Sequence, residues 1–445
     1  MRVNRTAQPS VFQPNEVVHP LGAQLERASQ WLDEHPELLD MVGACVAGSA
    51  SCGRRGLTCE TILRCAVLIH LMGYSYRALE FKLIDSESTK RFARIDPFNP
   101  PKKSALQSAI SAIDAATWEA INRVLVRDAR QRGIESGTQV RIDSTATDAD
   151  ILEPSDSRLL FDGVRVLTEL LREARQRLAQ VSFRDHCRAA KRRHREIGSQ
   201  RDLRRRAATY RRLLSVVGRT IGYAQEALLL VEVKGVTAPW VETWSAEVNR
   251  YLRLVERVIQ QTERRVFDGE KVPASEKVVS LFEPHADIIV KGGRKTHYGH
   301  KINLSTGRSA LVLDVVVEDG NPADSERCMP MLHRHVATYG EPPQRVAFDG
   351  GYASRENLAE AKKLGVEHVM FHKRRGMQQS EMTPSEWIYG ELRRFRAGVE
   401  AGISYLKRCF GLDRCRWSGR EGFHAYVHSA VFAHNLIRLA RLLPT

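Results

Sequence analysis

The chain has 445 residues, with 68 Lys+Arg against 53 Asp+Glu and a net charge of +15. That length predicts two to four domains with ample core, and 42% hydrophobic beside 27% charged residues excludes global disorder. No run approaches ~18 consecutive apolar residues, and the opening MRVNRTAQPSVFQPNE has no apolar stretch behind its arginines, so neither a membrane span nor a signal peptide is expected. A soluble, basic, cytoplasmic protein is the starting expectation.

Residues 1–133 read as a helical domain. Apolar residues recur at helical spacing over 21–42, interrupted at Pro36, and Thr58 is placed to cap a helix running through ILRCAVLIHLMGY. Three prolines in PFNPPKKS (97–104) forbid continuous helix. Ser104 and Thr117 are read as N-caps of the next two helices, the second ending at Gly133. The eight cysteines (Cys45, Cys52, Cys59, Cys65, Cys187, Cys328, Cys409, Cys415) contain no CxxC pair. They are expected to be reduced, and mostly buried as small hydrophobes, rather than to bind zinc.

The pattern changes at Thr138, where TQVRIDSTAT alternates like a strand, with Asp143 closing VRID. Residues 138–160 are assigned to the first strand of a sheet-based core, and 161–275 to a helical insertion. Between 164 and 219, seventeen Lys+Arg stand against five Asp+Glu, an excess of twelve out of fifteen for the whole chain. Sixteen of the seventeen are arginine, which suits bidentate grip on phosphate and makes Arg192, Arg193, Arg204 and Arg205 candidate DNA contacts. A solvated helix face is the plainer alternative. A further helix pair follows around YAQEALLLVEV and WSAEVNRYLRLVERVIQQTERRV.

Residues 276–445 return to strands. Segments 277–281, 297–304 and 310–317 read as a meander with a turn at Thr306-Gly307, followed by a helix over 324–338. Strand 345–348, the Gly350-Gly351 turn, helix 354–364 and strand 366–371 form a β-α-β unit. The closing 386–443 is helical apart from a break near 416–422.

Three carboxylates stand out. Asp143 and Asp349 close strands, and strand carboxyl ends open onto functional crevices in α/β sheets. Glu400 lies in FRAGVEAGISYLKRCFGL, four residues after Arg396 and seven before Lys407, so all three line one helix face. Taken alone, Arg396–Glu400 is an ordinary i,i+4 ion pair. Asp148, Asp150 and Glu391 compete as carboxylates, although Asp148 would point away from Asp143 if the strand continues past it. His297 and His300 face either DNA or the core, His424 and His428 read as packing or surface, and Asn435 as a buried polar anchor.

The succession DST (143–145), HYGHKINL (297–304), AFDGGYAS (347–354) and R-x3-E-x6-K (396–407) resembles that of bacterial insertion-sequence DDE transposases. The terminal RAGVEAGISYLKRCFGLDRCRWSG…AHNL, with PSDSRLLFDGVRVL, is most similar to the ISNCY-type group; LRCAVLIHLMGYSYRALEFKLIDS and KRFARID resemble the N-terminal domain of such enzymes. The likeness runs from about residue 55 to the end. It implies an α/β fold: an RNase H-like core with a mixed sheet and flanking helices, an all-α N-terminal domain and the basic insertion. It also implies a DDE triad of Asp143, Asp349 and Glu400 that binds Mg²⁺, or Mn²⁺ in its place, for cleavage at transposon ends and 3′-hydroxyl strand transfer. Arg396 and Lys407 would contact DNA, double-stranded DNA would be the partner of a homodimer or larger assembly, and the location would be cytoplasmic and nucleoid-associated. One departure is Arg393, where the fuller signature has tyrosine three residues before the arginine. A catalytically inactive DNA-binding relative and a metal-dependent nuclease that does not join ends are the competing readings.

Overall fold

The structure is a computed structural model that describes residues 19–46, 56–96, 99–291 and 295–443. The opening segment read above and Cys52, Pro97 and Phe98 lie outside the described residues. Seven helices come first: α1 (Pro20–Glu34), α2 (Glu37–Val46), α3 (Cys59–Met72), α4 (Tyr76–Asp85), α5 (Glu87–Ala93), α6 (Lys103–Ser111) and α7 (Ala115–Gln131). Strand β1 (Gln139–Asp148) precedes four long helices, α8 (Asp156–Arg177), α9 (Cys187–Ser199), α10 (Leu203–Val233) and α11 (Pro239–Val266). Then follow β2 (Asp287–Lys291), β3 (Lys295–Thr306), β4 (Val312–Val317), α12 (Cys328–Tyr339), β5 (Arg345–Phe348), α13 (Arg355–Leu364) and β6 (His368–Phe371). The chain closes with α14 (Gln379–Met382), α15 (Glu386–Phe410) and α16 (Arg420–Leu442).

Local chemistry accounts for most boundaries. Thr58 caps α3 by accepting from Thr61 N, and Gly73 ends that helix at φ +65°, where a side chain would be strained. Two expected caps are displaced. Asp114, three residues before Thr117, accepts the Thr117 amide and caps α7. The N-cap of α6 is Lys102, whose side chain cannot accept, so Ser104 falls inside the first turn.

The sheet is mixed. β3 runs antiparallel to β1, β2 and β4, whereas β5 is parallel to β1 and β6 parallel to β5. The expected strand at 277–281 does not form. Val278 N bonds to the Gln261 side chain of α11, and Val278 and Leu281 bury among the helices, so this backbone is committed elsewhere. The outer strand is instead β2, hidden in the sequence by its charged ends (DIIVK). The expected helix over 324–338 begins as a 3₁₀ turn and becomes α12 at Cys328.

Two hydrophobic cores result. The first unites α1–α7, the sheet and α15–α16; α16 is buried almost all round, as a central helix must be. Asn435, the expected polar anchor, donates to Val312 O and Asn122 and accepts from Val312 N, tying α16 to β4 and α7. The second core lies among α8–α11, where Gly163 lets α8 approach Val255 so closely that a β-carbon would meet it at 2.7 Å. Of the seven described cysteines, all free thiols, Cys65, Cys328 and Cys415 are buried and only Cys409 is exposed. No described helix is long and apolar enough to cross a membrane.

Candidate active site

Strand β1 continues five residues past Asp143, so Asp143 lies mid-strand rather than closing VRID. It is, however, the first residue beyond the β1–β5 pairing, which stops at Ile142 opposite Phe348. Asp349 follows Phe348 directly. The end of β5 therefore delivers Asp349 beside Asp143, and the parallel register is what does it.

The face of β1 that carries Asp143 addresses α15 at alternate residues, as the strand period of two requires. Arg141 donates from Nη1 to Phe395 O at 2.8 Å and lies over the Phe395 ring, while its Nε donates to Thr306 Oγ1. Thr147 donates to Leu412 O just beyond the helix. From the helix side, Lys407 Nζ reaches Ala146 O at 2.6 Å. The chain after α15 then bridges β1 through Asp148 N to Asp413 O and Cys415 N to Asp148 O. Strand and helix are locked along their whole shared length.

Between them lies an open cleft of about 620 Å³ lined by Asp143, Asp349, Arg396, Glu400, Lys407 and Asp413, among others. Its centre is the Arg396 guanidinium. Nη2 stands 2.6 Å from Asp349 and 3.7 Å from Asp143, and Nη1 stands 3.5 Å from Glu400. Three carboxylates from three separate elements thus converge on one cation. Asp143 also accepts from Ser144 N at 2.7 Å. Exposure grades outward, from 11% for the Asp143 side chain through 35% for Asp349 to 73% for Glu400, which stands at the rim.

Behind Asp143 lies a buried polar chain. Tyr352 donates to Asn303 Oδ1, Asn303 donates to Glu318 at 2.7 Å, and Glu318 also accepts from Arg327. Burial, and then the nearby carboxylates of Asp324 and Asp143, hold the Tyr352 phenol well above its ordinary pKa, so it stays a donor. Sequence reading missed this support. Asn303 and Tyr352 each lie in a quoted motif, but nothing in either motif pairs them.

The competing residues fall away from the cleft. Asp148 is on the opposite face of β1 and bonds His297 Nδ1 at 2.9 Å, and Glu391 pairs with Arg345. His297 and His300 are both buried. His300 stacks on His285, and the relay Glu283–His285–His300 is closed by contacts of 2.7 and 2.8 Å. His428 is buried, in keeping with packing. Among the basic candidates, Arg193 is tied to Glu196 at 3.0 Å and Arg192 lies 3.9 Å from the same carboxylate. Arg204 and Arg205 are exposed in the first turn of α10.

A hard divalent cation takes carboxylate oxygens, and three of them point at the positive charge of Arg396. The donor chemistry fits such an ion. Among the described residues, no set of three His, Cys, Asp or Glu side chains already has metal-holding geometry, and the Arg396 guanidinium stands among the three carboxylates. Residues 259–436 match the family model described as the transposase DDE domain. The match takes in Asp349, Arg396, Glu400 and Lys407 and begins after Asp143; it supports a DDE transposase family and a transposase function in general terms. No curated protein and no solved structure matches the chain.

Proposed function

We propose that this protein is a DNA transposase that cleaves strands at transposon ends and transfers the 3′-hydroxyl into target DNA. The observation that carries the reading is the convergence of Asp143, Asp349 and Glu400 on one cationic position in an open cleft. The sheet supports an RNase H-like core, with antiparallel β3–β1 continuing into parallel β1–β5–β6. The similarity to ISNCY-type transposases remains a resemblance of sequence motifs.

In this reading Asp143, Asp349 and Glu400 hold Mg²⁺, with Mn²⁺ able to substitute. Bound there, the ion supplies charge neutralisation at the phosphate and acidifies the attacking hydroxyl. The chain's own residues do the rest. Arg396, released from Asp349, offers two N–H donors to a phosphate oxygen, and Lys407 adds positive charge to the same cleft. The β1–α15 lock fixes where these groups stand. The long basic helices α9 and α10 grip DNA through Arg204 and Arg205, together with Arg192 and Arg193 once phosphate competes for Glu196. The N-terminus of α6, with Lys102 and Lys103, would read the terminal repeats together with the other N-terminal helices. Two ends are brought together by at least a homodimer in the bacterial cytoplasm, on the nucleoid.

The test is a cleavage and joining assay on DNA carrying the inverted repeats that flank the reading frame, with Mg²⁺ present. Nicks at the repeat boundaries and joined products are expected from the wild type. Asp143→Asn should yield neither while still binding DNA. Cleavage without joining would favour a nuclease, and binding without cleavage by the wild type would favour an inactive relative.

A further inference from the structure

β5 and β6 are parallel neighbours, so the segment that follows β6 emerges beside the one carrying Asp349. That segment is His372-Lys373-Arg374-Arg375, and all four residues are exposed. His372 N bonds to Phe348 O at 3.1 Å, carrying the sheet pairing up to the residue before Asp349. The Lys373 stem lies against Gly350, where a β-carbon would stand 2.8 Å from it. Arg374 is braced by α15, with its guanidinium over the Tyr389 ring at 5.2 Å and Nε donating to the Tyr389 hydroxyl.

The loop's shape adds a second observation. Met377 N bonds to Arg374 O across a turn whose central residues, Arg375 and Gly376, have φ +45° and +83°. Asn, Asp or Gly would take the first of these positions more easily than Arg does. Among the described residues, no carboxylate pairs with Lys373, Arg374 or Arg375. This contrasts with Arg192 and Arg193, which share Glu196. Unneutralised positive charge at the edge of the cleft suits a polyanion lying along it.

We propose that Lys373, Arg374 and Arg375 form a phosphate-binding rail for duplex DNA at the mouth of the cleft, contacting the backbone next to the phosphate that Arg396 would hold. The inference rests on the DNA-cleaving function proposed above and adds a second grip separate from the basic helices. It places three positive groups on the Asp349 side of the cleft, with Arg374 braced against the start of α15.

The test measures binding of a duplex of roughly 40 base pairs and arbitrary sequence by the full-length protein across a salt series. Lys373→Gln/Arg375→Gln is expected to lower the slope of log affinity against log salt by about 2. Arg204→Gln/Arg205→Gln, run in parallel, reports on the helices alone. As a check that needs no variant, Lys373 in the wild type should be shielded from acylation when the duplex is bound. An unchanged slope with Lys373 equally acylated in both states overturns the rail and leaves the function standing, provided the wild type binds. A wild type that binds no duplex overturns both.

Discussion

Arg141 on β1 and Gly398 on α15 approach so closely that a β-carbon at 398 would stand 2.5 Å from Arg141 Nη1. The glycine is what allows a buried guanidinium to reach the Phe395 carbonyl, one residue before Arg396. Burial lowers the Arg141 pKa from its ordinary value, the mark of a cation held by geometry rather than by a carboxylate partner. Gly398→Ala is therefore expected to push α15 away from β1 and separate Arg396 and Glu400 from Asp143. Displacements near 1 Å at a reacting site cost on the order of 100-fold in rate. DNA cleavage should fall by about that much with duplex affinity nearly unchanged, and adding Arg141→Met should restore part of it. A Gly398→Ala protein of full activity would remove the lock from the mechanism.

In the proposed function, Arg396 would compete with a metal for the same carboxylates. Replacing it by Gln removes one positive charge within 4 Å of all three, an effect worth a few kcal/mol at an effective dielectric near 20. Mn²⁺ titrated into Arg396→Gln should bind at least about tenfold tighter than to the wild type. The same variant should cleave DNA more slowly, because the phosphate donor is gone. Weaker Mn²⁺ binding by the variant would show that the guanidinium is not displacing the ion.

Acid should unfold the shared core. Burial pushes His70, His335, His428 and His434 down to about 4. Their unfolded values lie near 6.5, so between about 6.5 and 4 the unfolded chain binds more protons than the folded one. Stability is present above that window and is lost as pH falls through it. At about 1.4 kcal/mol per unit of difference, each such group contributes roughly 3 kcal/mol across the window, and four together rival the whole of ordinary stability. The melting temperature should fall steeply from pH 7 to 4, and less steeply in His434→Gln. A flat profile would contradict the burial of these imidazoles.

The N-terminal helices are fastened to the sheet by charge as well as by apolar packing. Arg334 on α12 makes two bonds to Asp314 of β4, at 2.6 and 2.7 Å, and one to Glu119 of α7. Burial raises the Asp314 pKa even against that partner, and Arg334 is held more firmly protonated by both carboxylates. Arg334→Ala leaves two carboxylates facing each other, at an expected cost of about 3 kcal/mol in denaturant unfolding. Arg334→Met with Asp314→Leu should recover much of this. A loss below about 0.5 kcal/mol for the single variant would mean that the pair behaves like an exposed one.

The three acids were singled out by their surroundings in the sequence: Asp143 in an alternating strand before Ser-Thr, Asp349 at a strand end before Gly-Gly, and Glu400 in a helix with Arg396 and Lys407 on the same face. β5 emerged with the bounds the alternation indicated, and β1 within one residue of them. What stayed hidden depends on partners far away in the chain. Segment 277–281 has strand composition, but its hydrogen bonds go to Gln261. Arg141 looked like one more arginine in a strand until α15 was laid over it. Glu400 was placed on the right helix face, yet no spacing rule shows that it stands at the rim, with Arg396 filling the centre.

The most direct measurement of the central claim is Mn²⁺-dependent nicking of supercoiled plasmid by the wild type, Asp143→Asn, Asp349→Asn and Glu400→Gln. Wild-type protein should nick only with the ion present, and each substitution should reduce nicking by at least ~1000-fold while leaving the fold and the salt-dependent DNA affinity intact. Nicking that survives in any of the three variants, or proceeds equally well in a chelator, would contradict the assignment of these carboxylates to a metal-dependent cleavage site.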